Sequence, residues 1–382
     1  MKQALVNCRL FDAASERHDA GLVIDGGRID TVTGDPAVLR DVDDTLDLDG
    51  LLVVPGFVDL QVNGGGGKLF NDEPTVATLR TMMQAHRPRG TTACLPTLIS
   101  DDVATMRAGM AAVAEAIADG VPGILGIHLE GPHLNPARPG VHDARQMRTL
   151  DARALELLGA FDAGPTLVTL APEMVVGESI RQLHGRGVRV FAGHSDATYD
   201  QVRAAIDCGL AGFTHLFNAM SPLQTREPGV VGAALDDPAT FAGIIADGHH
   251  VHPATLGIAL RAKPRGKIFL VTDAMPTVGS DNPTFTLNSV TVNLSAGRCV
   301  TGDGTLAGSN IGMIDAVKYL VSSGLVDRDE AIRMASAYPA AALGVDNRIG
   351  YVQAGYRADL LALDDDLNVV LSIIDGRVEH FD

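Results

Sequence analysis

A chain of 382 residues is too long for one small domain; it suits a large α/β barrel, a unit of roughly 250 residues or more, with a smaller satellite. Hydrophobic residues make up 46% and aromatics only 4%, with no Trp, so the core must be mainly Val, Leu, Ile and Ala. A formal charge of -17 argues against binding to nucleic acid or an anionic membrane, but an anionic small molecule stays open, because a pocket needs only one or two local cations.

The chain begins Met1-Lys2-Gln3-Ala4-Leu5-Val6-Asn7, without the apolar core of a signal peptide. No later run approaches the roughly 20 apolar residues of a membrane span. The four cysteines Cys8, Cys94, Cys208 and Cys299 are scattered and form no C-x-x-C pair, so a reduced, cytoplasmic protein is expected. Residues 1–53 read as short strands and turns, with a hairpin predicted across Leu22–Ile29. Next come eight apolar runs: Val53–Val62, Thr91–Leu98, Gly123–Leu129, Leu167–Leu170, Val188–Ala192, Gly212–Leu216, Gly243–Ala246 and Ile268–Thr272. Helical stretches at 101–119, 178–186 and 198–208 lie between them. Alternation of this kind predicts a (β/α)8 TIM-like barrel. The gaps at 131–165 and 217–240 are long, Pro- and Gly-bearing loops of the type that build active sites. From about 346 the chain turns β-rich again, with strand candidates at Ala358–Asp364 and Val369–Gly376. The expected organisation is a small β-sandwich domain formed from both chain ends, 1–53 and 346–382, around a barrel spanning 54–345.

Chemistry collects where the runs stop. Glu130 follows the third run, His194 the fifth, His215 the sixth and Asp273 the eighth. The C-terminal strand ends of a parallel barrel converge on one face, so these four should meet despite their separation in sequence. Any one histidine alone is as readily a strand cap with a local hydrogen bond. One carboxylate and two imidazoles with an open position, however, form the ligand set of a catalytic divalent metal. Asp273, at the rim of an apolar run, is placed to act as general base. The first run ends Asp59-Leu60-Gln61-Val62-Asn63. Neutral amides are poor zinc ligands beside imidazole, so Gln61 and Asn63 are expected to hydrogen-bond around the site, and a single ion is expected. Gly64-Gly65-Gly66-Gly67 lacks the helix a dinucleotide fingerprint requires and reads as a flexible loop. Gly302–Gly304 and Leu306–Ser309 read as turn and helix-cap chemistry. His18, His86, His184 and His380 read as surface residues.

Seven segments together resemble the N-acetylglucosamine-6-phosphate deacetylases, a branch of the amidohydrolase superfamily. They are Pro55–Gly67, His128–His133, Gly193–Asp196, Thr214–Met220, Arg226–Gly229, Ala246–His250 and Val271–Met275, in the family's order. The superfamily usually carries His-x-His where this chain has Gln61 and Asn63, and some members of the branch share that replacement and use one metal. The resemblance implies Glu130, His194 and His215 as metal ligands and Asp273 as acid/base. It implies His142 as a substrate-contacting histidine, and the Asn218-Ala219 backbone, Arg226 and His250 as a phosphate site, with His249 the alternative to His250. His133 stands where an aromatic or apolar residue is usual. The implied cofactor is one divalent ion per chain, Zn2+ or Fe2+. The implied reaction is hydrolysis of the acetamide of a phosphorylated amino sugar to acetate and the free amine. A homodimer is implied too, with Arg226 completing the partner's site. Two rivals remain: another amidohydrolase acting on a different N-acyl or cyclic amide substrate, and a metal-free scaffold.

Overall fold

The structure, a computed structural model, describes residues 2–381. Its centre is a parallel barrel of eight strands taken in chain order: Phe57–Val62, Thr91–Ile99, Ile127–Glu130, Thr166–Leu170, Arg189–Ala192, Gly212–Phe213, Phe241–Ile244 and Ile268–Leu270. The seam between last and first closes just beyond the regular ladder. Val62 bridges Ala274, and the Asp273 N–H donates to the Gln61 carbonyl at 3.0 Å. Closure thus brings the end of the first strand against the end of the eighth.

Strand alternation separates core from site. Along the third strand, Ile127 and Leu129 join the apolar cluster that also holds Val113 and Ala116 of the helix Val103–Ala118. His128 and Glu130 alternate with them and face inward. A polar belt follows inside the barrel: His128 bonds Thr97 at 3.2 Å and Thr169 at 2.8 Å, and Thr169 bonds Thr214 at 2.6 Å. The expected helices stand at Val103–Ala118, Gly177–Gly185 and Tyr199–Ile206. Asp102 caps the first of these through the Thr105 N–H, and Thr198 with Gln201 forms a capping box on the third.

Both chain ends share one sheet, which fits a small β-sandwich domain. Its order is 377–380, 369–374, 360–363, 52–55, 2–11, 16–25 and 28–33, with 44–47 added beside 2–11. The strand Leu52–Pro55 pairs antiparallel with Leu360–Leu363 and ties the two ends together. The apolar run read as Val53–Val62 is therefore two strands, parted at Gly56: one in the end sheet and one in the barrel.

The segment read as turn and cap chemistry also differs. Thr284–Leu287, Val290–Ser295, Arg298–Thr301 and Leu306–Ser309 form a four-stranded antiparallel sheet over the mouth of the barrel. Asn288 and Ser289, with φ of 49° and 66°, supply the tight left-handed turn that a short hairpin needs. Gly64–Gly67 belongs to a small pinned hairpin, with Gly66 and Gly67 N–H groups bonded to the Val278 and Pro276 carbonyls at 2.7 and 2.8 Å. His86 is buried, and its Nε2–H donates to the Gly64 carbonyl at 2.8 Å. Among the described residues, no helix is long and apolar enough to cross a membrane.

Candidate active site

His194, His215 and Asp273 each sit two or three residues beyond the end of a strand, where the backbone turns over the barrel mouth. All three adopt the left-handed region, with φ of 49°, 35° and 52°. Such conformations cost a non-glycine residue about 1–3 kcal/mol and persist only where the surroundings enforce them. They aim all three side chains inward at Glu130.

Glu130, His194 and His215 offer ligand atoms that all lie within 4.8 Å of one another, and all three residues are buried. Glu130 Oε1 stands 3.2 Å from His194 Nε2 and 3.0 Å from His215 Nε2, and the two Nε2 atoms are 3.0 Å apart. His194 Nδ1–H donates to the Arg138 carbonyl at 3.0 Å, which fixes the tautomer and leaves the Nε2 lone pair facing the cluster. Lone pairs and a carboxylate oxygen this close repel unless a proton or a cation stands between them, so the donor set fits a divalent ion. Burial pushes the Glu130 carboxyl upward, but the adjoining His194 and His215 imidazoles outweigh it and hold the group well below its ordinary range.

The two amides of the first strand face the carboxylates. Gln61 Nε2 donates to Glu130 Oε2 and to Asp273 Oδ1, at 3.1 Å each, and Asn63 Nδ2 donates to Asp273 Oδ1 at 2.6 Å. Burial, then the nearby Glu130 charge, pushes the Asp273 carboxyl up to about 6. His142 is buried, with Nε2 3.9 Å from Glu130 Oε2. Its Nδ1 accepts the Ser100 backbone N–H at 3.2 Å, so the ring proton belongs on Nε2, which faces the cluster. Burial, then the neighbouring His194, pushes His142 down to about 3, so the ring is a neutral donor.

Asn63, Glu130, His142, His194, His215 and Asp273 border a cavity of about 520 Å³, while Gln61 lies behind its lining. Asn218, Ala219 and His250 line its wall. His250 Nδ1–H donates to Asp247 Oδ2 at 2.7 Å, which leaves Nε2 for the cavity, while His249 does not line it. Gly304–Leu306 and Gly308 of the four-stranded sheet close the roof. Two residues stand elsewhere. His133 is buried against the Arg148 carbonyl at 2.9 Å, outside the lining. Arg226 is exposed on the loop before the helix Gly229–Asp236 and does not line this chain's cavity. Arg138, which the sequence reading passed over, is the one Lys or Arg in the lining among the described residues, and Asp196 holds it at 2.8 Å. Its place in the 131–165 loop was the available signal.

The pattern of the amidohydrolase family matches residues 52–378. The chain is 45% identical to an N-acetylgalactosamine-6-phosphate deacetylase of Shewanella sp. (strain ANA-3), covering 85% of this chain and 82% of the relative. It is 34% identical to an N-acetylglucosamine-6-phosphate deacetylase of Haemophilus influenzae, covering 99% of each. Among solved structures, that of N-acetylglucosamine-6-phosphate deacetylase from Pasteurella multocida superposes with a TM-score of 0.96 at 35% identity, over 100% of both chains.

Proposed function

The chain belongs to the amidohydrolase family, and from that premise we propose that it is a metal-dependent deacetylase of N-acetylglucosamine 6-phosphate, releasing acetate and glucosamine 6-phosphate. The observation that carries the reading is the convergence of Glu130, His194 and His215 within 4.8 Å beside Asp273, in a cavity bordered by His142 and His250. Glu130, His194 and His215 would hold one divalent ion, with Zn2+ the first choice and Fe2+ the alternative for such a donor set. Bound there, the ion supplies Lewis acidity, which acidifies water and polarises an amide carbonyl. A single ion is proposed because Gln61 and Asn63 present N–H groups to carboxylates and have no imidazole lone pairs to offer.

The chain's own residues divide the remaining work. Asp273 takes the proton of the attacking water and returns it to the departing amine nitrogen. Both amide donors sit on its Oδ1, so Oδ2 is the oxygen assigned to the proton. Gln61 and Asn63 keep the carboxylate aimed and partly charged. His142 donates its Nε2–H toward the carbonyl oxygen as charge develops there. The Asn218-Ala219 segment and His250 are assigned to the phosphate, with Arg226 supplied by a second subunit of a homodimer.

A second reading keeps the chemistry and changes the sugar. The 45% identical relative is named for the galactosamine epimer, so N-acetylgalactosamine 6-phosphate is the competing substrate. Acetate release measured side by side on the two phosphorylated epimers and on unphosphorylated N-acetylglucosamine decides between them. The proposal expects the highest kcat/KM on N-acetylglucosamine 6-phosphate. A higher value on the galactosamine epimer favours the second reading. Equal use of phosphorylated and plain sugar contradicts both.

A further inference from the structure

Asp59 is fully buried two residues before Gln61, and no cation is bonded to it among the described residues. Its Oδ1 accepts the backbone N–H groups of Gln61 and Thr272, each at 3.2 Å, and its Oδ2 accepts the Thr272 hydroxyl at 2.5 Å. One carboxyl group thus spans the barrel seam, from the first strand to the residue before Asp273. The Thr272 hydroxyl in turn accepts the Ala274 N–H at 3.2 Å. Ser309, from the four-stranded sheet, finishes the enclosure. Its hydroxyl donates to the Thr272 carbonyl at 2.5 Å, and its N–H donates to the Asp273 carbonyl at 2.9 Å. Every backbone polar group from the Thr272 N–H to the Ala274 N–H is therefore held, and Asp273 sits in the middle at φ 52°.

We infer that Asp59 and Thr272 are positioning residues for proton transfer: with Ser309 they clamp the seam and hold Asp273 in the left-handed conformation that aims its carboxylate at the ligand cluster. The inference rests on the proposed role of Asp273. Its physical ground is twofold. A left-handed non-glycine residue relaxes toward ordinary backbone unless its neighbours over-determine it. A carboxyl group buried without a counter-charge is costly, and here its hydrogen bonds go to the two stretches that set Asp273: Gln61, which bonds its side chain, and Thr272, which precedes it. Burial pushes the Asp59 carboxyl up to about 7, in keeping with a group bonded only to neutral donors. A purely structural role would lower thermal stability and leave the turnover of the folded, metal-loaded protein unchanged.

The test uses full-length, metal-reconstituted Thr272→Val and Thr272→Ser proteins, with Asp59→Asn as the alternative if Thr272→Val does not fold. Thr272→Val keeps the side-chain shape and removes the hydroxyl. Its kcat on N-acetylglucosamine 6-phosphate should fall on the order of 10²-fold, the scale of a 1 Å misplacement of a reacting group, with KM and metal content unchanged. Thr272→Ser should restore most of it. Wild-type kcat in Thr272→Val, or a loss carried by KM alone, overturns the clamp. A crystal structure of the same variant reads the geometry without reference to turnover: Asp273 should leave the left-handed region, and an unmoved Asp273 overturns the inference. If wild-type protein releases no acetate, the proposed function fails, and the crystal structure still decides the clamp.

Discussion

At Asp273 two influences oppose each other: burial and the Glu130 charge raise its proton affinity, while the nearby His215 and His250, then the hydrogen bond from Asn63, lower it. A raised proton affinity suits a group that must accept a proton and later return it. Asp273→Asn keeps the shape and removes the basicity, so turnover should fall by about 10²–10⁴ while elemental analysis finds the ion retained. Wild-type turnover in a metal-loaded Asp273→Asn protein contradicts the role. Asn63→Ala removes the 2.6 Å bond to Asp273 Oδ1. Hydrogen bonds to charged groups contribute roughly 1.5–3 kcal/mol, so kcat/KM should drop about 10- to 150-fold, and an unchanged value contradicts that partnership. Gln61 and Asn63 could be picked out in the sequence because amides stand where imidazoles are usual. Their partners could not, because Asp273 is more than two hundred residues away and reaches them only when the seam closes.

Strands and loops set what the residues can do. The polar residues at the strand ends were legible because a parallel barrel gathers such ends on one face. Their left-handed backbone was not, since His and Asp at these positions carry no turn signature of their own. The four-stranded sheet went unread although Phe285 and Leu287, then Val290, Val292 and Leu294, alternate along it. Its strands are four to six residues long, and its turn is Asn-Ser in place of Asn-Gly. The turn after Glu130 carries a sharper constraint. Gly131 has φ 86°, and a Cβ there would lie 2.3 Å from Ser100 Oγ, the hydroxyl that bonds His142 Nδ1 at 2.9 Å. Gly131→Ala should lower unfolding free energy in urea by about 1–2 kcal/mol from backbone strain alone and reduce kcat by displacing His142. Wild-type stability and kcat together contradict this account.

Across the whole molecule, an acidic chain of net charge -17 surrounds a cavity whose lining, among the described residues, holds one guanidinium, Arg138, itself paired with Asp196. With Arg138 engaged by Asp196, the exposed Arg226 is the cation proposed for the phosphate dianion, supplied by a neighbouring subunit. Arg226→Ala should weaken use of the phosphorylated sugar far more than use of plain N-acetylglucosamine, by roughly 10- to 150-fold in kcat/KM. Mixing Arg226→Ala with Asp273→Asn protein should restore some activity in hybrid dimers, and equal loss on both sugars means that Arg226 does not read phosphate. The barrel, and an end domain drawn from both termini, were readable from alternation and composition. The pairing of Leu52–Pro55 with Leu360–Leu363 was not, because periodicity says nothing about partners three hundred residues apart. Hydrolysis of the acetamide should depend on an ion held by Glu130, His194 and His215. Its most direct measurement is acetate release from N-acetylglucosamine 6-phosphate by protein with one bound ion per chain, by the same protein after chelation, and after zinc is restored. Release, its loss on chelation and its return with zinc are expected; full activity in protein with no bound ion overturns the dependence.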